Sequence, residues 1–309
     1  MDKNQIEQHI TRAPLAELLG EASALRQKTF QNEVELCSIV NIKSGCCPMD
    51  CTFCAQSVHH KTAAAVQPLP ETPALHDATQ NAWAAGVHRV GWVASGCSPA
   101  PDELARVASA AASLPKRGGL CASLGQLPAP ALAELRVAGF TRCHHNLETS
   151  ENFYPSVCAT QRWRDRVATL ERARAAGLEI CSGGIFGLGE TWADRVSLAQ
   201  TLARLRADSV PLNFLTPIPG TPLASRPPLS ADEALRIIVL FRLLLPETSL
   251  RVCGGRPSTF GARQGEIFAA GANALMTGDY LTTPGQTIAR DLLLLKHHNL
   301  APAKTMVED

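Results

Sequence analysis

The sequence of 309 residues predicts an α/β protein, a (β/α)8 TIM-type barrel with an N-terminal helical extension. Three observations carry this prediction. Short β-rich runs alternate with amphipathic segments of helix length, and the alternation provides eight strand candidates. Such strand–helix–strand units pair in parallel through right-handed crossovers. A chain of this length can close the barrel as one domain.

Each element follows from local composition. The polar start, roughly residues 4–32, has helical character and forms the extension. The predicted strands are 37–42, 89–94, 120–124, 142–146, 179–184, 210–215, 249–253 and 274–277. The predicted helices between them include 129–138, 164–176, 192–207, 231–245 and 260–270. We therefore expect an extension over 1–32, a barrel over 33–300 and a tail over 301–309.

Composition excludes several classes of protein. With 45% hydrophobic residues and a net charge of +1, the chain can bury a large core and has no excess of basic residues for nucleic acid. The polar N-terminus lacks the apolar core of a signal peptide, and Arg242 interrupts the longest apolar run, so no membrane association is expected. Eleven cysteines without an export signal indicate metal-bound or buried thiols in a cytoplasmic protein.

Three cysteines, Cys47, Cys51 and Cys54, form the most informative motif. A tetrahedral zinc site or an ordinary four-iron cluster has four protein ligands, whereas this short loop supplies three. One iron of a four-iron cluster would then be open to a small chelating molecule. The alternative is a zinc knuckle completed by a distant His or Cys.

This spacing, with the aromatic Phe53 before the last cysteine, resembles the signature of the radical SAM superfamily. The resemblance implies a [4Fe-4S] cluster that binds S-adenosyl-L-methionine (SAM). In that superfamily the cluster passes one electron to the sulfonium, and the carbon–sulfur bond breaks to leave a 5'-deoxyadenosyl radical.

Further segments resemble the biotin synthase family within that superfamily. They occur in order at residues 41–45, 145–150, 180–185, 187–191, 220–223 and 281–284, so the resemblance covers nearly the whole chain from about residue 41 to 300. It implies insertion of sulfur into dethiobiotin to form biotin, with the sulfur supplied by an auxiliary iron–sulfur cluster. It also implies flavodoxin or ferredoxin as electron donor and a homodimer.

The auxiliary cluster of this family has three cysteines and one arginine as ligands. Cys121, Cys181 and Arg251 match three of these positions, but Gly91 stands where the family has its remaining cysteine. Residues two apart on a strand face the same way, so we expect Cys253 to point inward with Arg251 and to replace the missing thiolate. The cluster is then a [2Fe-2S] type or, because three thiolates leave one iron open, a four-iron type with an extra sulfide, with Arg251 as a nearby donor.

The resemblance also implies residues that bind SAM and substrate. The SAM-binding positions are Phe53, Asn146, Glu148, Arg166, Gly183, Ile185 and Gly187. The substrate-binding positions are Asn146, Asn213, Thr282 and Thr283. His144 stands where the family often has asparagine, and it either donates to the substrate or satisfies a strand end. The glycines would allow close approach of the backbone to adenine. Glu190 either contacts SAM or is a charge at a helix N-terminus.

The remaining cysteines have simpler interpretations. Cys37 lies within a strand and is expected to be a small core hydrophobe, while Cys46 is treated as a spare thiol. Cys97, Cys143 and Cys158 lie near strand ends or loops and are either ligands or structural thiols.

Two other functions remain open from the sequence. One is another radical SAM barrel enzyme, such as a hydrogenase maturase or a methylornithine-type mutase. The other is a non-enzymatic iron–sulfur or zinc protein.

Overall fold

The computed structural model describes residues 2–115 and 117–303. Its strands are β1 (Glu33–Lys43), β2 (Arg89–Ala94), β3 (Gly119–Ser123), β4 (Arg142–His144), β5 (Glu179–Cys181), β6 (Gly184–Phe186), β7 (Ser209–Phe214), β8 (Ser249–Val252), β9 (Ala274–Met276) and β10 (Ala301–Pro302). Its helices are α1 (Lys3–Arg12), α2 (Leu15–Phe30), α3 (Thr72–Ala84), α4 (Pro101–Ala112), α5 (Ala129–Val137), α6 (Trp163–Ala175), α7 (Trp192–Arg204), α8 (Ala231–Leu244), α9 (Arg256–Phe260), α10 (Glu266–Ala269) and α11 (Ile288–His297).

The strands close into a parallel barrel. The order is β1-β2-β3-β4-β5-β7-β8-β9, and β9 pairs back with β1, while β6 continues the line of β5 and also pairs with β7. Within the described ranges this makes an eight-stranded barrel, which confirms the predicted fold class and all eight predicted strand positions. None of the helices in these ranges has the length and apolar composition that a membrane span requires.

The N-terminal extension is helical, as predicted, and one helix prediction within the barrel was wrong in detail. The N-terminal extension forms two helices, because Pro14 breaks the helix between α1 and α2. The helix predicted over 260–270 is instead α9, a 3-10 turn and α10, because Gly261 adopts a φ of 50° and ends α9.

Of the predicted C-terminal tail, residues 304–309 lie outside the described ranges, and β10 pairs with the start of β1.

Side-chain caps set the starts of the long helices around the barrel. Thr191 accepts a hydrogen bond from the backbone N–H of Asp194, whose carboxylate accepts one from Thr191 in return, so α7 begins there. Ser230 caps α8 in a similar way by accepting from Glu233. The apolar face of α8 then packs in the core between the helices and the outer face of the barrel.

The inward side chains at the N-terminal end of the barrel form an ionic floor, which consists of Glu35, Arg89, Arg142, Glu179 and Arg251. Glu35 contacts Arg251 (2.9 Å) and Arg89 (3.0 Å), and Glu179 contacts Arg142 (2.8 Å). Burial raises the pKa of Glu35, but the three guanidiniums outweigh it and lower that pKa from 4.5 to about 2. Three guanidiniums face two carboxylates, so the floor keeps one positive charge.

The strand register arranges the inward side chains in layers. In a barrel with the shear of about eight residues typical of this fold, positions at one height advance by one residue per strand, and alternate strands contribute each layer of four. The observed pairs place Cys37 (β1), Cys121 (β3), Cys181 (β5) and Arg251 (β8) in one such layer, directly above the floor. We call these four residues the sulfur layer.

Replacing Glu35 by glutamine should destabilise the barrel. Glu35→Gln leaves three buried guanidiniums without their shared counter-charge, so we expect the free energy of unfolding in urea at pH 7 to fall by about 3 kcal/mol. Because folding lowers the Glu35 pKa, its stabilising effect exists above pH 4.5 and is lost as the pH falls towards 2, so the two proteins should converge there.

Glu33→Gln is the matched control for this prediction, since Glu33 is an exposed carboxylate on the same strand. It should change the unfolding free energy by less than about 0.5 kcal/mol. Equal unfolding midpoints for Glu35→Gln and the parent chain at pH 7 would contradict the stabilising role of the floor.

Candidate active site

One cavity of about 390 Å³ extends from the C-terminal mouth of the barrel into its interior. Its walls hold most of the chemically active residues that the sequence singles out. Those that line it are Cys47, Cys51, Phe53, Cys54, Cys121, His144, Asn146, Glu148, Arg166, Cys181, Ile185, Asn213, Arg251, Thr282 and Thr283. The fold therefore gathers residues from more than 230 positions of sequence into one site.

The three-cysteine motif lies on the loop that follows β1. The Gln56 side chain closes this loop, because its Oε1 accepts from the Ser44 hydroxyl (2.9 Å) and from Gly45 N–H (3.0 Å). Cys54 N–H donates to the Cys51 carbonyl (2.9 Å), and this turn brings the two thiols to the same wall. Within the described chain, no three His, Cys, Asp or Glu side chains converge closely enough to hold a single metal ion.

Asp50 ties the cysteine loop to the segment before α6. Its Oδ1 accepts from the Ala159 and Thr160 N–H groups and from the Cys158 thiol at 3.2 Å. Burial raises the Asp50 pKa, but these donors outweigh it and hold that pKa well below its usual range. Cys158 is also hydrogen-bonded to Cys51, which raises the pKa of the Cys51 thiol. The loop is thus anchored at its centre by a permanent anion.

The thiols of the loop suit a metal cluster chemically. Burial raises the pKa of Cys54 to about 11, so the free thiol is protonated at neutral pH. Metal ligation deprotonates thiols, and cluster assembly therefore releases protons here. Three such sulfurs on one wall, with open cavity beside them, fit a cluster that keeps one iron accessible.

Glu148 and Arg166 form the polar wall opposite the loop. Arg166 donates to the Tyr154 hydroxyl (2.7 Å) and to the Asn146 carbonyl (2.7 Å), and its Nη1 lies 3.5 Å from Glu148 Oε1. Glu148 Oε2 is buried and has no hydrogen-bond partner among the described residues. Burial raises the Glu148 pKa, which Arg166 opposes. A fixed cation beside an unused carboxylate oxygen fits a zwitterionic ligand with hydroxyl groups, such as SAM.

The glycines of the run after β5 are needed for close backbone packing and do not line the cavity. A Cβ on Gly183 would lie 1.9 Å from the Pro211 carbonyl oxygen, so glycine is required there for strand packing. Glu190 accepts from the Gly187 and Gly189 N–H groups, both at 3.0 Å. Of this run, Ile185 lines the cavity, while Gly183, Gly187 and Glu190 do not.

The deep end of the cavity is the sulfur layer. Arg251 Nη1 donates to the Ser209 hydroxyl (2.9 Å) and lies 3.8 Å from Cys181 Sγ. Arg251 Nε is buried without a hydrogen-bond partner in the described chain. Its Nη2 lies 2.9 Å from Glu35 Oε2, but the two atoms are not aligned for a hydrogen bond. An unused buried donor beside two thiols fits an anionic sulfur-containing group.

Cys253 is as buried as Arg251, but unlike Arg251 it does not line the cavity. β8 ends at Val252, and the Cys253 N–H still donates to the Leu212 carbonyl of β7 (3.0 Å). Cys253 is fully buried, its Sγ lies 3.6 Å from the Arg251 carbonyl oxygen, and it does not line the cavity. Its role as a cluster ligand stays a prediction.

Cys37 occupies a different environment from the one predicted. It is buried, as expected, but it lines the cavity instead of packing in the apolar core. The alternation of Glu35, Cys37 and Ile39 along β1 is the signal that identifies this face, since Glu35 belongs to the floor. Of the other thiols, Cys97 lines the cavity, Cys143 packs in the outer core and Cys46 is exposed.

The remaining wall holds the predicted substrate residues. His144 Nδ1 lies 3.0 Å from the Ser123 hydroxyl, and burial lowers its pKa to about 4, so the ring is neutral at pH 7. The Asn213 side chain donates to the Gly184 carbonyl (3.2 Å) and accepts from Gly254 N–H (3.0 Å). Tyr280 also lines this wall, and the sequence reasoning missed it because no motif marks it.

Comparisons with known proteins agree with this site. The family model "Radical SAM superfamily" matches residues 41–202, and the model "Biotin and Thiamin Synthesis associated domain" matches residues 211–301. Biotin synthase from Desulfovibrio desulfuricans is 50% identical over 286 residues, which cover 91% of this chain and 90% of the relative. Biotin synthase from Thermodesulfovibrio yellowstonii is 46% identical and covers 95% and 93%.

Solved structures show the same fold at low identity. Methylornithine synthase superimposes with a TM-score of 0.85 at 20% identity, covering 98% of this chain and 94% of that one. The FeFe-hydrogenase maturase from Carboxydothermus hydrogenoformans gives a TM-score of 0.83 at 15% identity, covering 98% and 76%. These structures show the fold alone, and the high identity to the sequence relatives decides the family. This chain belongs to the biotin synthase family of radical SAM enzymes.

Proposed function

We propose that this enzyme inserts sulfur into dethiobiotin to form biotin. The observation that carries the proposal is a single cavity with two separate groups of thiols. Cys47, Cys51 and Cys54 line it on the loop after β1, and Cys121 and Cys181 line it inside the barrel. A radical enzyme that also delivers sulfur needs both an electron-transfer centre and a sulfur store within reach of one substrate.

The loop cysteines are the residues that would hold the [4Fe-4S] cluster. When bound, this group would supply the electron for SAM cleavage, and an auxiliary cluster held in the barrel would supply the sulfur. The chain itself positions SAM through Asn146, Glu148 and Arg166. Phe53 and Ile185 add apolar surface from two walls of the cavity. Gly183 and Gly187 support this region by shaping the backbone around Ile185.

The substrate would lie between these two groups. Asn213 has an amide held from both sides by backbone, which presents it in one orientation to a ureido ring. Thr282 and Thr283 line the mouth and would receive the carboxylate tail through their hydroxyls. His144 is a neutral ring fixed by Ser123, so it can donate or accept one hydrogen bond to the substrate.

Partners and location follow from the same proposal. We infer flavodoxin or ferredoxin as the electron donor, a homodimer, and the cytoplasm as the compartment. The free state of all eleven cysteines supports a reducing compartment, because exported proteins with this many thiols pair them.

The activity is tested with the anaerobically reconstituted chain, SAM, dithionite and dethiobiotin. We expect 5'-deoxyadenosine and biotin, and Cys51→Ala should abolish both because the loop then lacks one of three ligands. The control is Cys46→Ala, which removes an exposed thiol of the same loop and should keep both products. If the chain forms 5'-deoxyadenosine from SAM but produces no biotin from dethiobiotin, and no sulfur-containing product from a close analogue, another radical SAM reaction is favoured. A chain that binds metal but never cleaves SAM would be a non-enzymatic protein.

A second prediction concerns SAM binding. Glu148→Gln removes a buried carboxylate whose Oε2 is free to accept from the ligand, and Arg166 then loses its partner. We expect the Kd for SAM, measured by equilibrium dialysis on the reconstituted protein, to rise by about tenfold or more. Glu151→Gln, an exposed carboxylate nearby, is the control and should leave the Kd unchanged. An unchanged Kd in Glu148→Gln would remove Glu148 from the SAM site.

A further inference from the structure

The auxiliary cluster of the proposed function lacks one thiolate in this chain, because Gly91 has no side chain to offer. The inward position at Gly91 faces Cys121 across the β2–β3 pair. Of the described residues near it, Cys37 and Cys253 are the buried thiols not otherwise assigned. The question is which of them completes the set with Cys121 and Cys181.

The strand register places Cys37, and not Cys253, at the same height in the barrel as Cys121 and Cys181. Cys37, Cys121 and Cys181 are the inward residues of β1, β3 and β5, which are alternate strands, and Arg251 of β8 completes their layer. Residues of one layer meet at the barrel axis. All four line the same cavity, and Cys37, Cys121 and Arg251 are each less than 10% exposed.

Cys253 belongs to a different height. It follows Arg251 by two residues, which is about 6.6 Å further along the strand direction. Its thiol lies against the carbonyl of its own strand at 3.6 Å and has no surface on the cavity.

The backbone at Gly91 has room for a Cβ. A Cβ placed there would lie 3.5 Å from Ile39 Cγ2 and 3.9 Å from Cys121 Cβ, which are ordinary contacts. A side chain at position 91 would therefore begin on the inner face of β2 without displacing its neighbours. The charge also fits, since Arg251, which belongs to both the floor and the layer, makes the floor carry one more guanidinium than carboxylates, and its Nε has no partner in the described chain.

We propose that Cys37, Cys121 and Cys181 are the thiolate ligands of the auxiliary cluster, with the Arg251 guanidinium beside them in the same layer. This inference rests on the proposed function and corrects its ligand set, because Cys37 takes the place that the sequence assigned to Cys253. Moving the third thiolate from β2 to β1 leaves the β2 side of the cluster without a protein ligand.

The test uses full-length chain carrying Cys47→Ala, Cys51→Ala and Cys54→Ala, so that only the auxiliary site can load. Iron and sulfide per chain and the sulfide-to-iron absorbance are measured after anaerobic reconstitution. Adding Cys37→Ala should remove the iron and the absorbance, as should Cys121→Ala. Adding Cys253→Ala should leave both unchanged, and Cys143→Ala is the matched control on the outward face of β4.

A rescue variant separates ligation from a structural role of Cys37. Gly91→Cys, added to the iron-free Cys37→Ala protein, should restore the bound iron, because it offers a thiolate from the neighbouring strand at a position with room for a Cβ. Far-ultraviolet circular dichroism of each variant checks that the barrel is folded.

Retention of iron in Cys37→Ala, or failure of Gly91→Cys to restore it, would overturn the assignment. If Cys253→Ala loses its iron and Cys37→Ala keeps it, Cys253 is the ligand and Cys37 is not. The iron count requires no SAM, reductant or dethiobiotin. A failure of the proposed reaction would therefore appear in the turnover assay and not here.

Discussion

The closure of eight parallel strands with a fixed stagger is the constraint on which this site depends. It forces inward side chains into discrete layers, each contributed by alternate strands. In this chain the lowest layers are ionic, the next is the sulfur layer, and the mouth carries the cysteine loop. A residue moved by one position along its strand would enter another layer or point outward. The strand register therefore determines which side chains meet in the site.

The ionic floor and the sulfur layer are two parts of one electrostatic arrangement. Burying three guanidiniums costs free energy that two carboxylates only partly offset. The unmatched positive charge becomes favourable when anionic sulfur groups lie above it, and Arg251 is the residue that belongs to both parts. With the proposed ligand set, the stability of the barrel and the binding of an auxiliary cluster would both depend on Arg251, and a change in Glu35 would affect both.

The upper half of the cavity is built on a different principle. There the reactive residues lie on loops, and each loop is fixed by hydrogen bonds to backbone. Gln56 closes the cysteine loop, Asp50 ties it to residues 158–160, and Glu190 holds the glycine-rich run. These contacts place flexible segments accurately without using the barrel itself. They also explain glycines and acids that the sequence motif alone would assign to ligand binding.

The sequence by itself determined the fold class, the eight strands, the family and the residues of the cysteine loop, because periodicity, spacing and motif order are local properties. It also identified Cys121, Cys181 and Arg251 as members of the site. Only the tertiary structure decided the surroundings of Cys37 and Cys253, since these depend on the stagger between strands that are distant in sequence. Cys37, expected to be a core hydrophobe, lines the cavity, whereas Cys253, expected to be a cluster ligand, is buried without lining it.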